Sequence, residues 1–387
     1  MIISQKQKEH FSTLKTPFYF YDVELLKKTL DTVTSEAKKY GYVLHYAFKA
    51  NVNDKILNTI HRYGLGADCV SGNEVQKAID MGFPKNEVVF AGVGKSDDEI
   101  ITALKNDIFC FNCESVQEME VINELAAQHN KIANIAVRIN PNVDANTHKH
   151  ISTGLKENKF GVNMEEMDSV VDCIKASKNL KFVGIHFHIG SQITDLSSYK
   201  NLCVRVNHIQ EWFESRHVAL EFINVGGGLG IDYYNPETND VSKFEEYFAI
   251  FNEFLQLRPH QKLHFELGRS IVAQCSSLIS RVLYVKKGAN TSFMILDAGM
   301  TELIRPMLYQ AYHKINNLST TAVDLDTYDV VGPICESTDT FAKALELPLS
   351  KRGDLIEIKS AGAYGEVMAS NYNLKTLHTA VYSDAIK

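Results

Sequence analysis

Long runs of one residue type are missing from this 387-residue chain, and their absence excludes several classes of protein. Basic side chains number 40 against 47 acidic ones, and no long basic run could follow a nucleic-acid backbone. No apolar run could span a bilayer, and residues 1–16 lack the charged-then-apolar pattern of a signal peptide. We therefore expect a cytoplasmic protein that binds neither nucleic acid nor a membrane.

Cysteine is also scarce, and its odd count and wide spacing favour reduced thiols over a disulfide framework. The seven cysteines are Cys69, Cys110, Cys113, Cys173, Cys203, Cys275 and Cys335. Cys110 and Cys113 form a C-x-x-C pair, but their strand-like segment lacks a second pair and the helix start of a redox motif. We interpret both as small buried hydrophobic residues, and a redox role stays open.

Short β-branched or aromatic runs alternate with amphipathic segments from Tyr42 to about Arg269, the pattern of a parallel sheet with connecting helices. The eight runs begin at Val43, Gly66, Val88, Ile108, Asn134, Phe182, Phe222 and Leu263. Ser-x-x-Glu capping boxes at residues 71–74, 96–99 and 115–118 predict helix starts after three of them. Eight strand–helix units predict a closed (β/α)8 barrel of the TIM type, and hence an α/β fold.

The pattern changes after Ser270, where β-rich segments follow one another without long helical periods. This change predicts a second, all-β domain of barrel or sandwich type. Residues 18–22 are also strand-like and are expected to pair with that domain, which would make it discontinuous in sequence. We place the barrel at 25–270 and the β-rich domain at 1–24 together with 271–387.

Lys49 ends an apolar, aromatic run, HYAFKAN, that contains no acidic residue. A lysine desolvated in this way can lose its proton and form a Schiff base. The alternative is a lysine that carries its charge into solvent, as most lysines near strand ends do. Asp68, Arg138, His188 and Glu266 also lie toward the carboxyl-terminal side of their runs, and the carboxyl ends of barrel strands are where such folds hold active sites.

The glycine-rich segment GGGLG, residues 226–230, follows the seventh run, and consecutive glycines let backbone N–H groups close around a phosphate. A dinucleotide-binding loop would come early in a βαβ unit, with an acidic residue about twenty positions on. The late position therefore suits a phosphorylated cofactor better. A glycine-rich turn without a ligand is the remaining interpretation.

Glu266 ends the eighth run, where a buried carboxylate needs a cation. A protonated pyridine nitrogen would be such a cation, and it would make a cofactor ring an electron sink for chemistry at an amino acid's α-carbon. Arg269 has the planar donors that suit a substrate carboxylate or a phosphate. A purely structural Glu–Arg pair is the alternative.

His186 and His188 alternate with Phe187, so both imidazoles would lie on one side of a strand. This spacing could bind a metal, but no third ligand lies nearby in sequence. His188 suits an aromatic face stacked on a cofactor at least as well, and His186 fits a hydrogen-bonded core histidine. We predict no metal site.

In this order the segments HYAFKAN, HFHIGSQ, GGGLG and ELGR resemble the fold type III pyridoxal phosphate decarboxylases, the ornithine/arginine/diaminopimelate decarboxylase family. The resemblance covers nearly the whole chain and implies an alanine racemase-like architecture with pyridoxal 5'-phosphate as cofactor. It makes Lys49 the Schiff-base lysine. It assigns the other cofactor contacts to His188, Ser191, Gly226, Gly227, Gly228, Glu266, Gly268, Arg269 and Tyr364.

Four further segments, residues 143–161, 305–313, 335–339 and 362–373, look like those of the diaminopimelate decarboxylases. A substrate with a carboxylate at each end needs cationic groups at its far end too, and Arg269 with Arg305 could supply them. The resemblance adds Tyr309, Glu336 and Tyr364 as substrate contacts. It makes the Cys335 thiol the group that protonates the α-carbon.

The same resemblance implies a homodimer in which Cys335 and Glu336 reach the neighbouring subunit's site. One position departs from the family pattern, because Leu267 stands where these enzymes commonly have proline in E-P-G-R. Leucine does not fix its φ angle as proline does, so this change bears on the geometry of Arg269, two residues further on.

The resemblance implies the conversion of meso-2,6-diaminopimelate to L-lysine and carbon dioxide, the last step of lysine biosynthesis. The nearest alternatives are a racemase, or a decarboxylase of the same fold for another basic amino acid or carboxynorspermidine. Arg305 argues against a substrate that ends in an ammonium group. A non-catalytic protein that binds the cofactor is a third interpretation, and it would need none of the substrate groups Arg305, Tyr309, Cys335 and Glu336.

Overall fold

A computed structural model describes residues 1–143 and 159–386, so most of the segment 143–161 lies outside the described residues. The strands of the described part are β1 (Phe18–Tyr21), β2 (Val43–Ala47), β3 (Gly66–Cys69), β4 (Val88–Phe90), β5 (Cys110–Cys113), β6 (Ala133–Arg138), β7 (Leu180–His186), β8 (Phe222–Asn224), β9 (Lys262–Leu267), β10 (Ser276–Lys287), β11 (Ser292–Leu296), β12 (Ile315–Asn317), β13 (Leu325–Val331), β14 (Thr340–Pro348), β15 (Leu355–Ile358) and β16 (Ala380–Tyr382). The helices are α1 (Gln5–Thr13), α2 (Val23–Lys38), α3 (Asp54–Arg62), α4 (Gly72–Asp80), α5 (Asp97–Lys105), α6 (Val116–Gln128), α7 (Met167–Ala176), α8 (Ser197–Glu214), α9 (Phe244–Phe254), α10 (Arg269–Val272) and α11 (Arg305–Tyr309).

Strands β2 to β9 form a closed barrel in which each strand is parallel to its neighbours, and β9 pairs with β2 to close it. The predicted (β/α)8 barrel is therefore confirmed, and each of the eight predicted runs overlaps one of its strands. Its interior includes a buried apolar cluster of Val89, Cys110, Ala136, Val183 and Phe222. Removing this surface from water stabilises the barrel without any polar partner.

All three predicted helix starts are confirmed, because α4, α5 and α6 begin directly after the predicted serines. At Ser96 the Glu99 carboxylate accepts a hydrogen bond from the serine N–H at 3.0 Å, the reciprocal half of a capping box. The Glu74 carboxylate instead accepts from Val70 N–H at 2.7 Å, one residue before Ser71. The spacing thus identifies where each helix begins, and at Ser71 only the backbone N–H that the glutamate contacts moves by one residue.

The chain divides into two compact units. The barrel lies in the unit of Leu30–Gly230 and Lys243–Gly268, and the other unit comprises Met1–Thr29, Ile231–Ser242 and Arg269–Lys387. The second unit contains a sheet of eight strands in the order β12-β15-β10-β11-β13-β14, with β1 joined to β10 and β16 joined to β1. The predicted pairing of residues 18–22 with the β-rich part is confirmed, while the bounds 25–270 stay a prediction.

The cysteines are all unpaired, and Cys110 and Cys113 are wholly buried on β5. Burial raises the pKa of both thiols, which is the setting of an inert core residue rather than of a redox pair. Within residues 1–143 and 159–386, no helix has both the length and the apolar character needed to cross a membrane.

Candidate active site

Lys49 lies at the carboxyl end of β2, in the 3-10 turn Phe48–Ala50. Phe48 and Ala50 are buried and anchor this turn, whereas the Lys49 side chain is 38% exposed. Its Nζ lies 3.8 Å from Asp68 Oδ2. The apolar setting predicted for this lysine is therefore wrong, because the side chain is partly exposed and has a carboxylate next to it.

Asp68 reaches Lys49 because the parallel register of β2 and β3 places Ala47 opposite Asp68. The Asp68 side chain is fully buried, and neither carboxylate oxygen has a hydrogen-bond partner in the described part of the chain. Burial raises the pKa of this carboxyl well above its ordinary value, the Glu266 charge adds to that effect, and Lys49 opposes it. The sequence places Asp68 toward the end of its run but indicates no role for it.

Glu266 lies near the carboxyl end of β9, and three side chains from other strands donate to its carboxylate. Asn112 Nδ2 on β5 and Asn224 Nδ2 on β8 lie 3.1 and 2.7 Å from Oε1. His186 Nε2 on β7 lies 2.9 Å from Oε2. Burial alone would raise the pKa of Glu266, but His186, its hydrogen bond and the charge of Lys49 lower it below its ordinary value. The site thus holds a buried, ionised carboxylate.

Sequence reasoning missed the two asparagines of this network and left His186 as a core histidine. Asn112 and Asn224 are polar residues inside otherwise apolar runs, which was the available signal. Each contacts Glu266 only because the barrel closes and brings their strands to one interior. The described residues contain no cluster of three histidine, cysteine or acidic side chains that could hold a metal ion.

His188 follows β7, and its Nδ1 accepts a hydrogen bond from Gly227 N–H at 3.3 Å. Burial lowers the pKa of His188 well below its ordinary value, and the charges of Lys49 and Arg138 lower it further. The imidazole is therefore neutral at physiological pH. Ser191 is half-buried in the same loop, which is tied to the glycine segment by a 2.9 Å bond from Ile193 N–H to Gly228 O.

The glycine segment packs too closely against its neighbours to accept side chains. A Cβ at Gly227 would collide with the carbonyl oxygen of Glu266, and Gly226 has a φ of +69°, which favours glycine. The Gly226 N–H already donates to Asn224 Oδ1 at 2.9 Å. Gly268 packs in the same manner, since a Cβ there would lie 3.0 Å from that of Ala50 in the lysine turn.

In the second unit, Arg269 begins α10 and Arg305 begins α11, and both are buried. Nη1 of Arg269 and Nη1 of Arg305 donate to the same atom, the Tyr233 hydroxyl oxygen, at 2.7 and 2.9 Å. The Arg269 guanidinium also lies over the ring of Tyr364, 4.9 Å from its centroid. Tyr309 ends α11 and is half-buried, and its proximity contributes to the raised pKa of Arg269.

Cys335 and Glu336 lie on an exposed loop of the same unit. Cys335 N–H donates to Asn373 Oδ1 at 3.2 Å, and the Tyr372 hydroxyl donates to Glu336 Oε1 at 2.7 Å. Buried Asp339 holds the loop by accepting from backbone N–H groups, one of them that of Ile334 at 2.8 Å. Both predicted residues therefore present their side chains on the surface of the chain.

Leu267, the departure from the family pattern, is the last residue of β9 and is buried. It lies opposite Tyr46 in the register of the parallel β9–β2 pair. The change therefore falls in the closing pair of the barrel, between Glu266 and Gly268.

The sequence and the fold of this chain match those of known proteins. Residues 25–273 match the family model described as pyridoxal-dependent decarboxylase, pyridoxal binding domain. The chain belongs to the pyridoxal-dependent decarboxylases. A diaminopimelate decarboxylase of Bacteroides thetaiotaomicron is 57% identical over 98% of each chain, and one of Helicobacter pylori is 43% identical over 95% of this chain and 90% of its own.

A solved structure, diaminopimelate decarboxylase from Helicobacter pylori complexed with L-lysine, has a TM-score of 0.90 at 42% identity. The match covers 97% of this chain and 93% of that one. The family's cofactor is pyridoxal 5'-phosphate. The described residues fit it: the barrel offers an amine at Lys49, an ionised carboxylate at Glu266 and a glycine segment with no room for side chains.

Proposed function

We propose that this pyridoxal-dependent decarboxylase converts meso-2,6-diaminopimelate to L-lysine and carbon dioxide, the last step of lysine biosynthesis. The observation that carries the proposal is the buried Glu266 carboxylate, which three donors keep ionised. It lies at the strand end beside the one that carries Lys49, because β9 pairs with β2. An amine and a fixed negative charge at one barrel end are what this chemistry requires.

The cofactor would be held by the residues that the sequence singled out. Lys49 would attach it through Nζ, Glu266 would hold a proton at the pyridine nitrogen, and His188 would stack on the ring. The further contacts proposed are Ser191, Gly226, Gly227, Gly228, Gly268, Arg269 and Tyr364. When bound, pyridoxal phosphate supplies an electron sink for the pair left at the α-carbon.

Glu266 performs its part because it cannot easily take up a proton itself. Its Oε1 accepts from two asparagine amides, which stabilise the ionised carboxylate more strongly than the neutral acid. A carboxylate with a lowered pKa would leave the proton on a pyridine nitrogen held beside it. The neutral imidazole of His188, in turn, adds no positive charge to that side of the site.

The substrate contacts proposed are Arg269, Arg305, Tyr309, Glu336 and Tyr364. The bond between the α-carbon and one carboxylate breaks, carbon dioxide leaves, and the electron pair stays until the α-carbon takes a proton. We propose that the Cys335 thiol supplies this proton. Arg305 favours a substrate with an acid group over one that ends in an ammonium group, because its buried guanidinium carries a permanent positive charge.

We propose a homodimer in which each copy contributes Cys335 and Glu336 to the site of the other. What supports this is the exposure of both residues on a loop that Asp339 holds in place. A thiol that protonates a carbon must be shielded from bulk water, and a second copy would supply that shield. The cytoplasmic location expected from the sequence stays a prediction.

The test is carbon dioxide release by the purified protein from meso-diaminopimelate, ornithine and arginine, assayed side by side. We expect release from meso-diaminopimelate alone. Equal release from ornithine or arginine would leave the reaction class intact and overturn the substrate. No release from any of the three by protein loaded with pyridoxal phosphate would instead favour a non-catalytic cofactor-binding protein.

A further inference from the structure

Tyr233 is a buried tyrosine that the sequence did not single out, and two cations meet at its hydroxyl oxygen. The Nη1 atoms of Arg269 and Arg305 lie 2.7 and 2.9 Å from this oxygen. The Arg305 guanidinium also lies 5.0 Å from the centroid of the Tyr233 ring. All three residues belong to one compact unit of the chain.

A second contact fixes Arg305 from another side. Its Nη1 donates to His313 Nε2 at 2.7 Å, and His313 Nδ1 donates to the carbonyl oxygen of Lys359 at 2.8 Å. Burial and the neighbouring Arg305 charge lower the pKa of His313 to about 3, so its Nε2 remains an acceptor at neutral pH. Arg305 is thus held by two neutral or anionic acceptors, His313 and Tyr233.

Two guanidinium groups at such short range repel each other, and a shared oxygen acceptor offsets that repulsion. The two positive charges also act on the Tyr233 hydroxyl. Burial would raise the pKa of Tyr233, but the charges of Arg269 and Arg305 lower it below the ordinary value. Each guanidinium has five N–H donors, so both retain donors after their bonds to Tyr233. The remaining donors of the two groups can face one acid group together.

We propose that Tyr233 is a positioning residue that holds Arg269 and Arg305 together as one binding site for an acid group of the reactants. The proposal deepens the proposed function and rests on it for the nature of the reactants. The acid group is either a carboxylate of the dicarboxylic substrate or the phosphate of the cofactor. Without the shared oxygen, the two guanidinium groups would separate, and the acid group would lose one of its two partners.

The chain offers a matched control one residue away. Tyr234 is 66% exposed and stacks on Tyr312, with ring centroids 4.4 Å apart and planes at 11°. Tyr233→Phe removes the oxygen that both arginines share, whereas Tyr234→Phe removes a hydroxyl that neither arginine contacts. The two variants differ from the native chain by the same single atom at neighbouring positions.

The experiment measures KM and kcat for meso-diaminopimelate, together with the dissociation constant of pyridoxal phosphate, for both variants and the native enzyme. In Tyr233→Phe we expect either KM or the dissociation constant of pyridoxal phosphate to rise about tenfold, with kcat nearly unchanged. A tenfold rise is the size of a lost hydrogen bond to a charged group. A rise in KM assigns the acid group to the substrate, and a rise in the cofactor constant assigns it to the phosphate. A change confined to kcat, or no difference from Tyr234→Phe, overturns the proposal.

A double-mutant cycle with Arg305→Lys adds a readout that a general loss of packing would not move. If Tyr233 acts through Arg305, the effects of Tyr233→Phe and Arg305→Lys on the affected constant are not additive. Additive effects would overturn the positioning role.

A measurement on the native protein needs neither a variant nor turnover. Ionised tyrosine has its own ultraviolet difference band, so a pH titration should show one tyrosine ionising before the others. Inorganic phosphate should move that step to higher pH, because an anion bound by the two guanidinium groups weakens their pull on the phenol. Absence of the early step or of its shift overturns the proposal, whereas failure of carbon dioxide release alone overturns only the proposed function.

Discussion

His186 Nε2 lies 2.9 Å from Glu266 Oε2, and both side chains are almost wholly buried. The imidazole donates a hydrogen bond to one carboxylate oxygen, while Asn112 and Asn224 donate to the other. A carboxylate taken out of water is stable only with such partners. Side chains from three strands therefore stabilise one negative charge inside the barrel, and the proposed chemistry depends on that charge.

Glu266→Gln tests this charge with almost no change of shape. The amide oxygen can still accept from Asn112 and Asn224, so the fold should persist, but no negative charge remains to hold a proton on the cofactor ring. We expect kcat for carbon dioxide release to fall about 100-fold, the scale of losing one preorganised electrostatic group. Exposed Glu124→Gln on α6 is the control. A Glu266→Gln enzyme with more than half the native kcat would contradict this role.

Asp68→Asn should raise stability and lower activity. The raised pKa of Asp68 means that the unfolded chain loses this proton more readily, so stability declines as pH rises above the unfolded pKa of about 3.9. Asparagine cannot ionise, so Asp68→Asn should raise the free energy of unfolding at pH 7 by about 1–3 kcal/mol, since each unit by which burial raises the pKa costs about 1.4 kcal/mol when the group ionises. Urea unfolding measures this.

The activity of Asp68→Asn should fall because Lys49 loses the carboxylate 3.8 Å from its Nζ. Asp80→Asn, at the exposed end of α4, serves as the control for both measurements. A lower free energy of unfolding together with native activity would show that Asp68 is only structural.

His264 and His45 make the barrel sensitive to acid. Their rings stack, and His45 Nε2 lies 2.9 Å from His264 Nδ1. Burial lowers the pKa of His264 well below 6.5, and His45 lowers it further, so the unfolded chain binds this proton first as pH falls. The neutral, buried His264 therefore makes its full contribution to stability above about pH 6.5, and this contribution is lost as the pH falls below that value.

For each such histidine the free energy of unfolding should fall by up to about 1.4 kcal/mol per pH unit below that value. His264→Gln should flatten this slope between pH 7 and pH 5 in urea unfolding. His260→Gln, an exposed position just before β9, should leave the native slope unchanged. Equal slopes in all three proteins would show that the folded chain protonates this pair as readily as the unfolded chain does, and would contradict the lowered pKa of His264.

Much of the barrel could be predicted because its signals are local. The eight apolar runs and the serine caps each involve a few neighbouring residues, and Lys49, His188 and Glu266 lie within two residues of the ends of their strands. The parts that were missed depend on contacts between distant segments. Asp68 meets Lys49 through the register of two strands, and Tyr233 meets two arginines that begin separate helices.

The exposure of Lys49 was misjudged for the same reason. An apolar run around a lysine predicts buried neighbours, and Phe48 and Ala50 are indeed buried. The lysine side chain itself is partly exposed because it lies on a single 3-10 turn beyond the strand. Sequence spacing places the residue at the strand end, but the direction of its side chain depends on that turn.

Mixing two inactive variants tests the homodimer. Lys49→Ala and Cys335→Ala should each lose activity, since each removes a group proposed for every site. After exchange of subunits, half of the dimers are mixed, and each has one site with both groups intact. We expect about a quarter of the native activity to return, as isologous two-fold symmetry requires. If no activity returns although native mass spectrometry shows mixed dimers, each site is formed within one chain.

The central claim is that Lys49 holds the cofactor with which this chain decarboxylates its substrate. The measurement is the visible absorption of the bound cofactor, taken together with carbon dioxide release from meso-diaminopimelate, in Lys49→Ala and in Lys181→Ala, an exposed lysine on β7. We expect Lys49→Ala to lose both signals and Lys181→Ala to keep both. Persistence of either signal in pure Lys49→Ala protein would contradict the account.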